Sequence, residues 1–313
     1  IMRILVTGGA GFIGAHLIND LQADGFEVIG LDNYCGALYD PKLKEERVAF
    51  MDIGVQRVDM KHFPSLDDAF NIVKPNIVIH LGALAGVRDS YGKEREYIKN
   101  NIDATQNLID CCKMYGVSRI LYASTSCIYA GSPLPWREDR VTGEQLNAYG
   151  YTKRCNEMMF KSCGLDTVGM RFFTVYGNWG RPDMALYQFT HNIMEGLPIQ
   201  AFNNGNMKRD FTHISDIVAG IKCILFNETP KNEIYNIGRG KQVDLMKFID
   251  CIGQCVGRKP IIELAPKHPA DTLETWSDTT KLQKLGYKPI VDMEQGVSSF
   301  VRWYKEFYQT EWI

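Results

Sequence analysis

A tyrosine and a lysine four residues apart have the types and spacing of an acid–base pair. Tyr149 and Lys153 lie in the segment NAYGYTK, residues 147–153, and residues i and i+4 of a helix share one face. A phenol with its ordinary pKa near 10 is a poor base at neutral pH. A cation about 5 Å away favours the phenolate by roughly 3 kcal/mol at an effective dielectric constant of about 20. The spacing predicts a lysine-activated tyrosine base, and the alternative is a solvated helix face.

A glycine-rich turn near the start of the chain predicts a dinucleotide site. Residues 3–7 form a continuous apolar run typical of a buried strand. Gly9, Gly11 and Gly14 then satisfy the G-x-G-x-x-G pattern ahead of a helical segment, and such a turn lets the backbone approach a diphosphate. A second strand, residues 27–31, ends at Asp32, where an acid binds the ribose hydroxyls of NAD and repels a 2′-phosphate. The predicted cofactor-binding residues here are Gly8, Gly11, Phe12, Ile13, Gly14, Asp32 and Asn33.

Composition excludes several other classes of protein. The net charge of −2 over 313 residues provides no basic surface for nucleic acid or for acidic membranes. No apolar stretch approaches twenty residues and the chain starts with a strand, so we expect neither a membrane span nor a signal peptide. The nine cysteines are scattered without metal-binding spacing. We therefore expect no metal site, reduced thiols and a cytoplasmic location.

Predicted strands and helices alternate over the first half of the chain, which indicates an α/β fold. Further strands are predicted at residues 48–51, 77–81, 119–123 and 167–172, with helices at 66–73, 98–115 and around Tyr149. This series predicts a Rossmann-type doubly wound parallel sheet. We predict an NAD-binding domain over residues 1–173 and a smaller C-terminal α/β substrate domain over 174–313. The segment at about 211–240, with a strand at 234–237, is expected to return to the first domain.

Taken in order, these motifs resemble the extended short-chain dehydrogenase/reductases, and more narrowly the NAD-dependent nucleotide-sugar epimerases and dehydratases. The resemblance rests on residues 7–14, on Asp32-Asn33, on the segment STSCIY at 124–129 and on the Tyr149/Lys153 pair. It continues through residues 209–216, 235–238 and 269–272. It implies a catalytic group of Thr125, Tyr149 and Lys153. It also implies further contacts to NAD from Asp59, Met60, Leu81, Ala83, Ala85, Asn101, Ser124, Tyr149 and Lys153.

The segment after the fifth strand narrows the chemistry that the resemblance implies. Sugar 4,6-dehydratases carry an acid and a base at the two positions that Ser126 and Cys127 occupy here. Elimination therefore lacks its acid–base pair, which leaves reversible oxidation at C4 of the sugar. The resemblance thus implies epimerisation at C4 of a UDP-sugar through a 4-keto intermediate.

A run after the sixth strand is similar to that of the UDP-glucuronate 4-epimerases. It reads YGNWGRPDMA at residues 176–185, with Asn178 where that family usually has proline. The resemblance implies conversion of UDP-glucuronate to UDP-galacturonate, with the sugar carboxylate bound by Ser126, Thr174 or Arg181. The guanidinium provides a planar fork for that purpose, although Arg181 could instead hold its own loop or the diphosphate.

Two further positions carry implied roles in binding the nucleotide. Arg209 matches a diphosphate clamp, and Asp271 matches a contact to the nucleotide ribose or to a clamping arginine. Lys267 and His268 depart from the usual pattern beside Asp271.

Other activities remain as alternatives, and the resemblance also bears on the oligomeric state. A UDP-galactose or UDP-N-acetylglucosamine 4-epimerase is the main alternative, followed by a UDP-glucuronate decarboxylase and a non-catalytic NAD-binding regulator. The resemblance also implies a homodimer through a four-helix bundle formed by the helices at 101–115 and 147–163. Apolar surface for that bundle would come from Leu108, Met114, Met158, Met159 and Phe160.

Overall fold

A computed structural model describes residues 2–140 and 142–309. Its strands are β1 (Arg3–Thr7), β2 (Glu27–Asp32), β3 (Val55–Arg57), β4 (Ile77–His80), β5 (Arg119–Thr125), β6 (Thr167–Phe172), β7 (Thr174–Tyr176), β8 (Pro198–Ala201), β9 (Lys208–Arg209), β10 (Phe211–His213), β11 (Glu233–Ile237), β12 (Val243–Asp244) and β13 (Ile261–Leu264). Its helices are α1 (Phe12–Ala23), α2 (Lys42–Met51), α3 (Phe63–Val73), α4 (Glu94–Ile98), α5 (Ala104–Met114), α6 (Ala148–Ser162), α7 (Ala185–Glu195), α8 (Ile214–Phe226), α9 (Leu245–Val256), α10 (Thr280–Gln283) and α11 (Met293–Gln309).

Seven strands form one parallel sheet in the order β11-β6-β5-β4-β1-β2-β3. The direction of winding reverses between β1 and β4, because β2 and β3 follow on one side and β5 and β6 on the other. Ligands of such sheets bind outside the carboxyl ends of the strands at this point of reversal. The predicted fold class is confirmed.

Helices cover both faces of the sheet, which accounts for its nearly uninterrupted apolar strands. One face packs against α1 and α8, whose buried side chains include Leu17, Ile18 and Ile221. The other face packs against α3, α5 and α6 through Phe70, Leu108 and Phe160 among others. Both helix layers thus fix the strand ends that carry the candidate site.

The later part of the chain forms a second apolar core around α7, α9 and α11. Two-stranded pairings of β7 with β10, β9 with β12 and β8 with β13 accompany these helices. The predicted strand at 234–237 is present as β11, which pairs in parallel with β6. The boundary that we predict at residue 173 stays a prediction.

A buried chain of hydrogen bonds joins the ends of β1 and β4 to the helical layer. The Thr7 hydroxyl lies 2.7 Å from Nδ1 of His80, and Nε2 of His80 lies 3.2 Å from the hydroxyl of Thr105. Thr105 donates in turn to the carbonyl of Asn101 at 2.7 Å. Its hydroxyl must therefore accept from Nε2 of His80, so that Nδ1 accepts from Thr7.

Two predicted elements need correction. Residues 48–51 are the last turn of helix α2 and not a strand, because α2 starts at Lys42 and ends where Asp52 takes a left-handed conformation (φ 50°). The third strand is the short β3. The helix predicted at 98–115 starts earlier, at Glu94, and contains a π-helical turn over Lys99–Asp103. Over the residues that the structure describes, no helix is long and apolar enough to cross a membrane.

Candidate active site

A cavity of about 350 Å³ lies at the carboxyl ends of the sheet strands. It follows the turn after β1, the loop after β4 and the end of β5, and it reaches the loop after β7. Most of the predicted site residues line it: Gly8, Gly11, Phe12, Ile13, Gly14, Asp32, Asn33, Asp59, Met60, Leu81, Ala83, Ala85, Ser124, Thr125, Ser126, Tyr149, Lys153, Thr174 and Arg181. The structure does not place Asn101, Arg209 or Asp271 on its wall.

The glycine turn has the geometry that a diphosphate requires. Gly8 has a φ of +70°, and a Cβ on Gly14 would lie 2.2 Å from the carbonyl oxygen of Gly8. Helix α1 starts immediately after Gly11, with no capping side chain and no acidic residue in its first turn. Its first N–H groups therefore point to the cavity without a side-chain acceptor, which suits an anionic group. The residues present fit a bound NAD.

Asp32, predicted to bind the ribose of NAD, lies at the end of β2 and lines the cavity. Its Oδ1 accepts from the backbone N–H of Tyr34 at 2.7 Å, and its Oδ2 accepts from that of Ala10 at 3.2 Å. Lys44, which projects from α2, lies 3.2 Å from Oδ1 with only 11% of its side chain exposed. The carboxylate is thus held in place and partly neutralised by a lysine that the sequence analysis did not single out.

Tyr149, Thr125 and Lys153 come together at the end of β5 and the first turns of α6. Asn147 caps α6, because its side chain accepts from the N–H of Gly150 at 2.8 Å. Burial raises the pKa of Tyr149 to about 12; Cys127 adds to this, whereas Arg181 and a hydrogen bond with Thr125 oppose it. Burial also lowers the pKa of Lys153 to about 8. In the protein alone, burial dominates the pKa of Tyr149 and Arg181 is the cation that favours its ionised form. Activation of the phenol by Lys153 stays a prediction.

A buried ion pair joins β6 to α6, the helix that carries Tyr149 and Lys153, and a further hydrogen bond joins it to β5. Arg171 donates to both carboxylate oxygens of Glu157, at 2.8 and 2.9 Å, and both side chains are buried. Glu157 also accepts from the hydroxyl of Ser124 at 2.7 Å. Ser124 therefore faces the cavity with its hydroxyl already donated. Breaking one partner of such a buried pair is strongly destabilising.

The three residues predicted to bind the sugar carboxylate, Ser126, Thr174 and Arg181, all line the cavity. The N–H of Thr174 donates to the carbonyl of Asp210 at 3.2 Å. Arg181 binds Asp183 through Nε, at 3.0 Å, and through Nη2. In this structure the guanidinium fork thus faces a carboxylate of its own loop. Burial lowers the pKa of Arg181, but the charge of Asp183 and its hydrogen bond with Arg181 raise it, and the pKa is raised on balance.

Asn101 supports the cavity wall instead of lining it. Its side chain accepts from the N–H of Leu84 at 2.8 Å and donates to the carbonyl of Leu84 at 3.0 Å. It also donates to Thr152 of α6 at 3.0 Å. These bonds tie the loop after β4 to the catalytic helix, so a direct contact from Asn101 to NAD stays a prediction.

Arg209 and Asp271 lie near each other beyond the lined cavity. Asp271 accepts two hydrogen bonds from Arg88, at 3.2 and 2.7 Å, and the Arg88 guanidinium lies 3.9 Å from the ring centroid of Phe202. Arg209 donates to the carbonyls of Lys208 and Leu273, both at 2.9 Å. Burial lowers the pKa of Arg209, and the nearby Asp271 opposes this shift. A nucleotide-binding role for these two residues stays a prediction.

Sequence reasoning missed two cations that bind predicted acids. Lys44 binds Asp32 and Arg88 binds Asp271. Neither residue belongs to a pattern that a sequence can reveal, because each reaches its partner from a distant element. The only available signal was that a buried carboxylate needs a partner.

The fold and this cavity define a Rossmann-type enzyme of the extended short-chain dehydrogenase/reductase class. Residues 4–238 match the model of the NAD dependent epimerase/dehydratase family, and the chain belongs to that family. The predicted cofactor, NAD, and the predicted class, an NAD-dependent nucleotide-sugar epimerase, are confirmed.

Individual relatives match nearly the whole chain. A UDP-glucuronate 4-epimerase of Thermodesulfobacterium geofontis is 37% identical, over 96% of this chain and 96% of that protein. Among solved structures, UDP-glucuronic acid 4-epimerase from Bacillus cereus, in complex with UDP-glucuronic acid and NAD, has a TM-score of 0.92 and 31% identity, covering 98% of this chain and 100% of that one. The Thermus thermophilus UDP-glucose 4-epimerase complex with NAD has a TM-score of 0.88 and 29% identity, covering 97% and 99%.

Proposed function

We propose that this protein is an NAD-dependent UDP-glucuronate 4-epimerase that interconverts UDP-glucuronate and UDP-galacturonate. The observation that carries the proposal is the composition of one end of the cavity. There Thr125 and Tyr149 meet Ser126, Thr174 and Arg181, with no carboxylate at Ser126 or Cys127. Such a wall can exchange a proton with the sugar 4-OH and can bind an anion, but it cannot act as an acid–base pair for elimination.

Each catalytic side chain has a distinct role in this proposal. Tyr149 exchanges the proton of the 4-OH, directly or through the hydroxyl of Thr125, which hydrogen-bonds the phenol. Lys153 is buried and lines the same cavity, where it would hold the nicotinamide ribose. NAD, when bound, supplies the redox chemistry that takes C4 to the ketone and back. The 4-keto sugar turns about its diphosphate linkage between the two half-reactions, and C4 is inverted.

The acid group of the substrate imposes a second task. A ketone at C4 is β to the C6 carboxylate, and such acids lose CO2 readily. Ser126, Thr174 and Arg181 hold the carboxylate away from the alignment that cleaves the C5–C6 bond. Arg181 would have to exchange part of its pairing with Asp183 for the substrate.

The cofactor and nucleotide contacts belong to the same proposal. Gly8, Gly11, Phe12, Ile13 and Gly14 would hold the diphosphate of NAD. Asp32 and Asn33 would hold its ribose, and Asp59 and Met60 its adenine. Leu81, Ala83, Ala85 and Ser124 complete that site, and Asn101 positions it. Arg209 and Asp271 bind the UDP portion.

A substrate panel tests the proposal. Purified protein without added NAD is incubated with UDP-glucuronate, UDP-galactose or UDP-N-acetylglucosamine, and the products are identified by NMR. We expect UDP-galacturonate from the first sugar and little turnover of the others. Preferred turnover of UDP-galactose would contradict the proposal and favour a neutral-hexose epimerase. A UDP-pentose with CO2 would favour a decarboxylase.

We also propose a homodimer through α5 and α6. Met114 and Met158 on these helices are 63% and 61% exposed, which leaves apolar surface for pairing with a second copy. Leu108 and Phe160, also predicted for the interface, are instead fully buried in the chain's own core, and Met159 packs against that core. Light scattering at micromolar concentration should give twice the chain mass, and Met158→Lys should lower it; a monomeric wild-type protein would contradict the dimer.

The cellular setting follows from the proposed substrate. We propose a cytoplasmic enzyme that supplies an activated uronic acid for polysaccharide synthesis. All nine cysteines are free, which suits a reducing compartment.

A further inference from the structure

Arg47 is a buried cation that the proposed function does not use. It lies in α2 and its side chain is 0% exposed. Among the residues that the structure describes, no carboxylate pairs with it, and its Nε has no hydrogen-bond partner. Arginine keeps its charge in proteins. Burying that charge without a carboxylate costs free energy, so the position calls for a compensating role.

The two carbonyls that Arg47 binds belong to two loops that both contribute residues to the cavity wall. Nη1 donates to the carbonyl of Ala10 in the glycine turn at 2.6 Å, and Nη2 donates to the carbonyl of Trp179 at 2.7 Å. Ala10 is also the residue whose N–H binds Asp32. Trp179 lies two residues before Arg181. One planar guanidinium thus joins the glycine turn between β1 and α1 (the cofactor turn) to the loop between β7 and α7 that carries Arg181 (the substrate loop).

The substrate loop needs such a support. Trp179 has a φ of +61°, a left-handed conformation that is unfavourable for a bulky residue. Its ring is buried against Trp303 and Phe307. The hydrogen bond from Arg47 fixes the carbonyl of this strained residue and with it the start of the segment that leads to Arg181.

We propose that Arg47 is a positioning residue that couples the cofactor turn to the loop carrying Arg181. Arg47 itself does not line the cavity. Through Ala10 it holds the turn on which the diphosphate rests, and through Trp179 it sets where the guanidinium of Arg181 stands. Its charge also favours an anion bound at the turn. Loss of Arg47 therefore weakens cofactor retention and substrate binding together. The inference rests on the proposed function for the role of Arg181 in binding the sugar.

Arg47→Met tests this coupling, because methionine fills similar space but donates no hydrogen bond. Two quantities are measured: NAD retained per chain after gel filtration, and the split between KM and kcat at saturating NAD. The sugar is whichever one the wild-type enzyme converts. NAD retention does not depend on the sugar, so failure of the coupling can be distinguished from failure of the proposed substrate. We expect NAD retention below about half and a KM raised about tenfold, as for one lost charged hydrogen bond, with kcat changed less than about threefold.

Arg119→Met is the matched control. Arg119 is also a largely buried arginine, with 16% of its side chain exposed, and it binds the carbonyl of Thr229 at the opposite end of β5. It should lower thermal stability but leave NAD retention and KM unchanged. Equal effects of both substitutions on retention and KM would overturn the proposal, since Arg47 would then be only a structural cation.

Two more variants keep the test decisive. Arg47→Lys retains the charge but replaces the planar two-nitrogen fork with a single ammonium on a flexible stem; it should therefore still raise KM, and wild-type values in both measurements would overturn the proposal. Arg181→Gln with Arg47→Met should have the same KM as Arg181→Gln alone, because Arg47 acts on the substrate through that loop. Additive effects on KM would also overturn it.

Discussion

The phenol of Tyr149 has a pKa raised to about 12 by burial, while Arg181 and the hydrogen bond with Thr125 favour its ionised form. A base at neutral pH needs more positive charge than the protein alone provides at this position. The oxidised nicotinamide ring carries such a charge. In the proposed reaction, bound oxidised cofactor would therefore favour the phenolate of Tyr149.

Replacing Tyr149 by phenylalanine removes the proton transfer but keeps the ring. We expect Tyr149→Phe to lower kcat by about 10²- to 10⁴-fold, while NAD content and UDP-sugar affinity stay close to wild type. Turnover assays with NAD quantified by chromatography provide the measurement. A variant that keeps more than about a tenth of wild-type kcat would show that Tyr149 is not the base.

Arg181 and Thr174 should discriminate between charged and neutral sugars. Replacing either residue should weaken UDP-glucuronate more than UDP-galactose, by about 1.5–3 kcal/mol if one charged hydrogen bond is lost. The freer carboxylate should also raise the fraction of turnovers that end in CO2. Calorimetric titration of both sugars into variants made in the Tyr149→Phe background measures the difference.

Asp183→Asn is the control for these variants, because it releases Arg181 without removing it. It should retain or improve UDP-glucuronate binding. Equal losses for both sugars in the Arg181 and Thr174 variants would make these residues structural and would move the assignment to a neutral-hexose epimerase.

At the scale of elements, the turn between β1 and α1 determines cofactor binding. A methyl group on Gly14 would lie 2.2 Å from the carbonyl oxygen of Gly8, so Gly14→Ala must displace the turn. We expect purified Gly14→Ala protein to contain little NAD, measured as nucleotide released on denaturation. Gly54→Ala is the matched control, because nothing lies within 4 Å of its added Cβ. Full NAD content in Gly14→Ala would contradict the role of the turn.

The elements that could be predicted from the sequence are those with a local pattern. Apolar runs and glycine spacing predict the glycine turn, β1, β4 and β5. The helix that contains Tyr149 is predicted from residues spaced so that they share one helix face. Residues 48–51 were assigned wrongly because a four-residue apolar run fits a strand and a helix end equally well.

The parts of the site that could not be predicted depend on contacts between distant elements. Arg47, Lys44 and Arg88 meet their partners only in the folded chain, and an isolated cation has no periodicity. The resemblance indicates Asn101, but not its bonds to Leu84 and Thr152, because Asn101 lies in a π-helical turn that no local sequence pattern predicts.

At the scale of the whole molecule, a buried histidine should make stability depend on pH. His80 is 1% exposed, and burial, with a smaller contribution from Lys153, lowers its pKa from 6.5 to about 3. Below pH 6.5 the imidazole of His80 binds a proton in the unfolded chain but stays neutral in the folded protein. Stability is therefore full above pH 6.5 and falls as the pH decreases toward 3, by about 1.4 kcal/mol at pH 5.5 from this residue.

Urea unfolding at pH 7.5 and pH 5.5 measures this contribution. His80→Gln should lose about 1.4 kcal/mol less than wild type between the two pH values, because glutamine can bind Thr7 and Thr105 without titrating. An identical loss in both proteins would show that His80 does not carry the effect.

Strand β11 also bears on how the protein is made. The sheet pairs β6, which ends at Phe172, with β11, a strand that begins only at Glu233. Helix α8, which lies between β6 and β11 in the chain, packs beside α1 on one face of the sheet. During translation at about 5–20 residues per second, one edge of β6 thus stays unpaired for several seconds, and the apolar side chains that α8 will cover stay exposed. Such edges recruit other strands. The nascent chain should therefore depend on chaperones most when synthesis has passed residue 172 but not yet residue 237, and a fragment ending at residue 173 should aggregate.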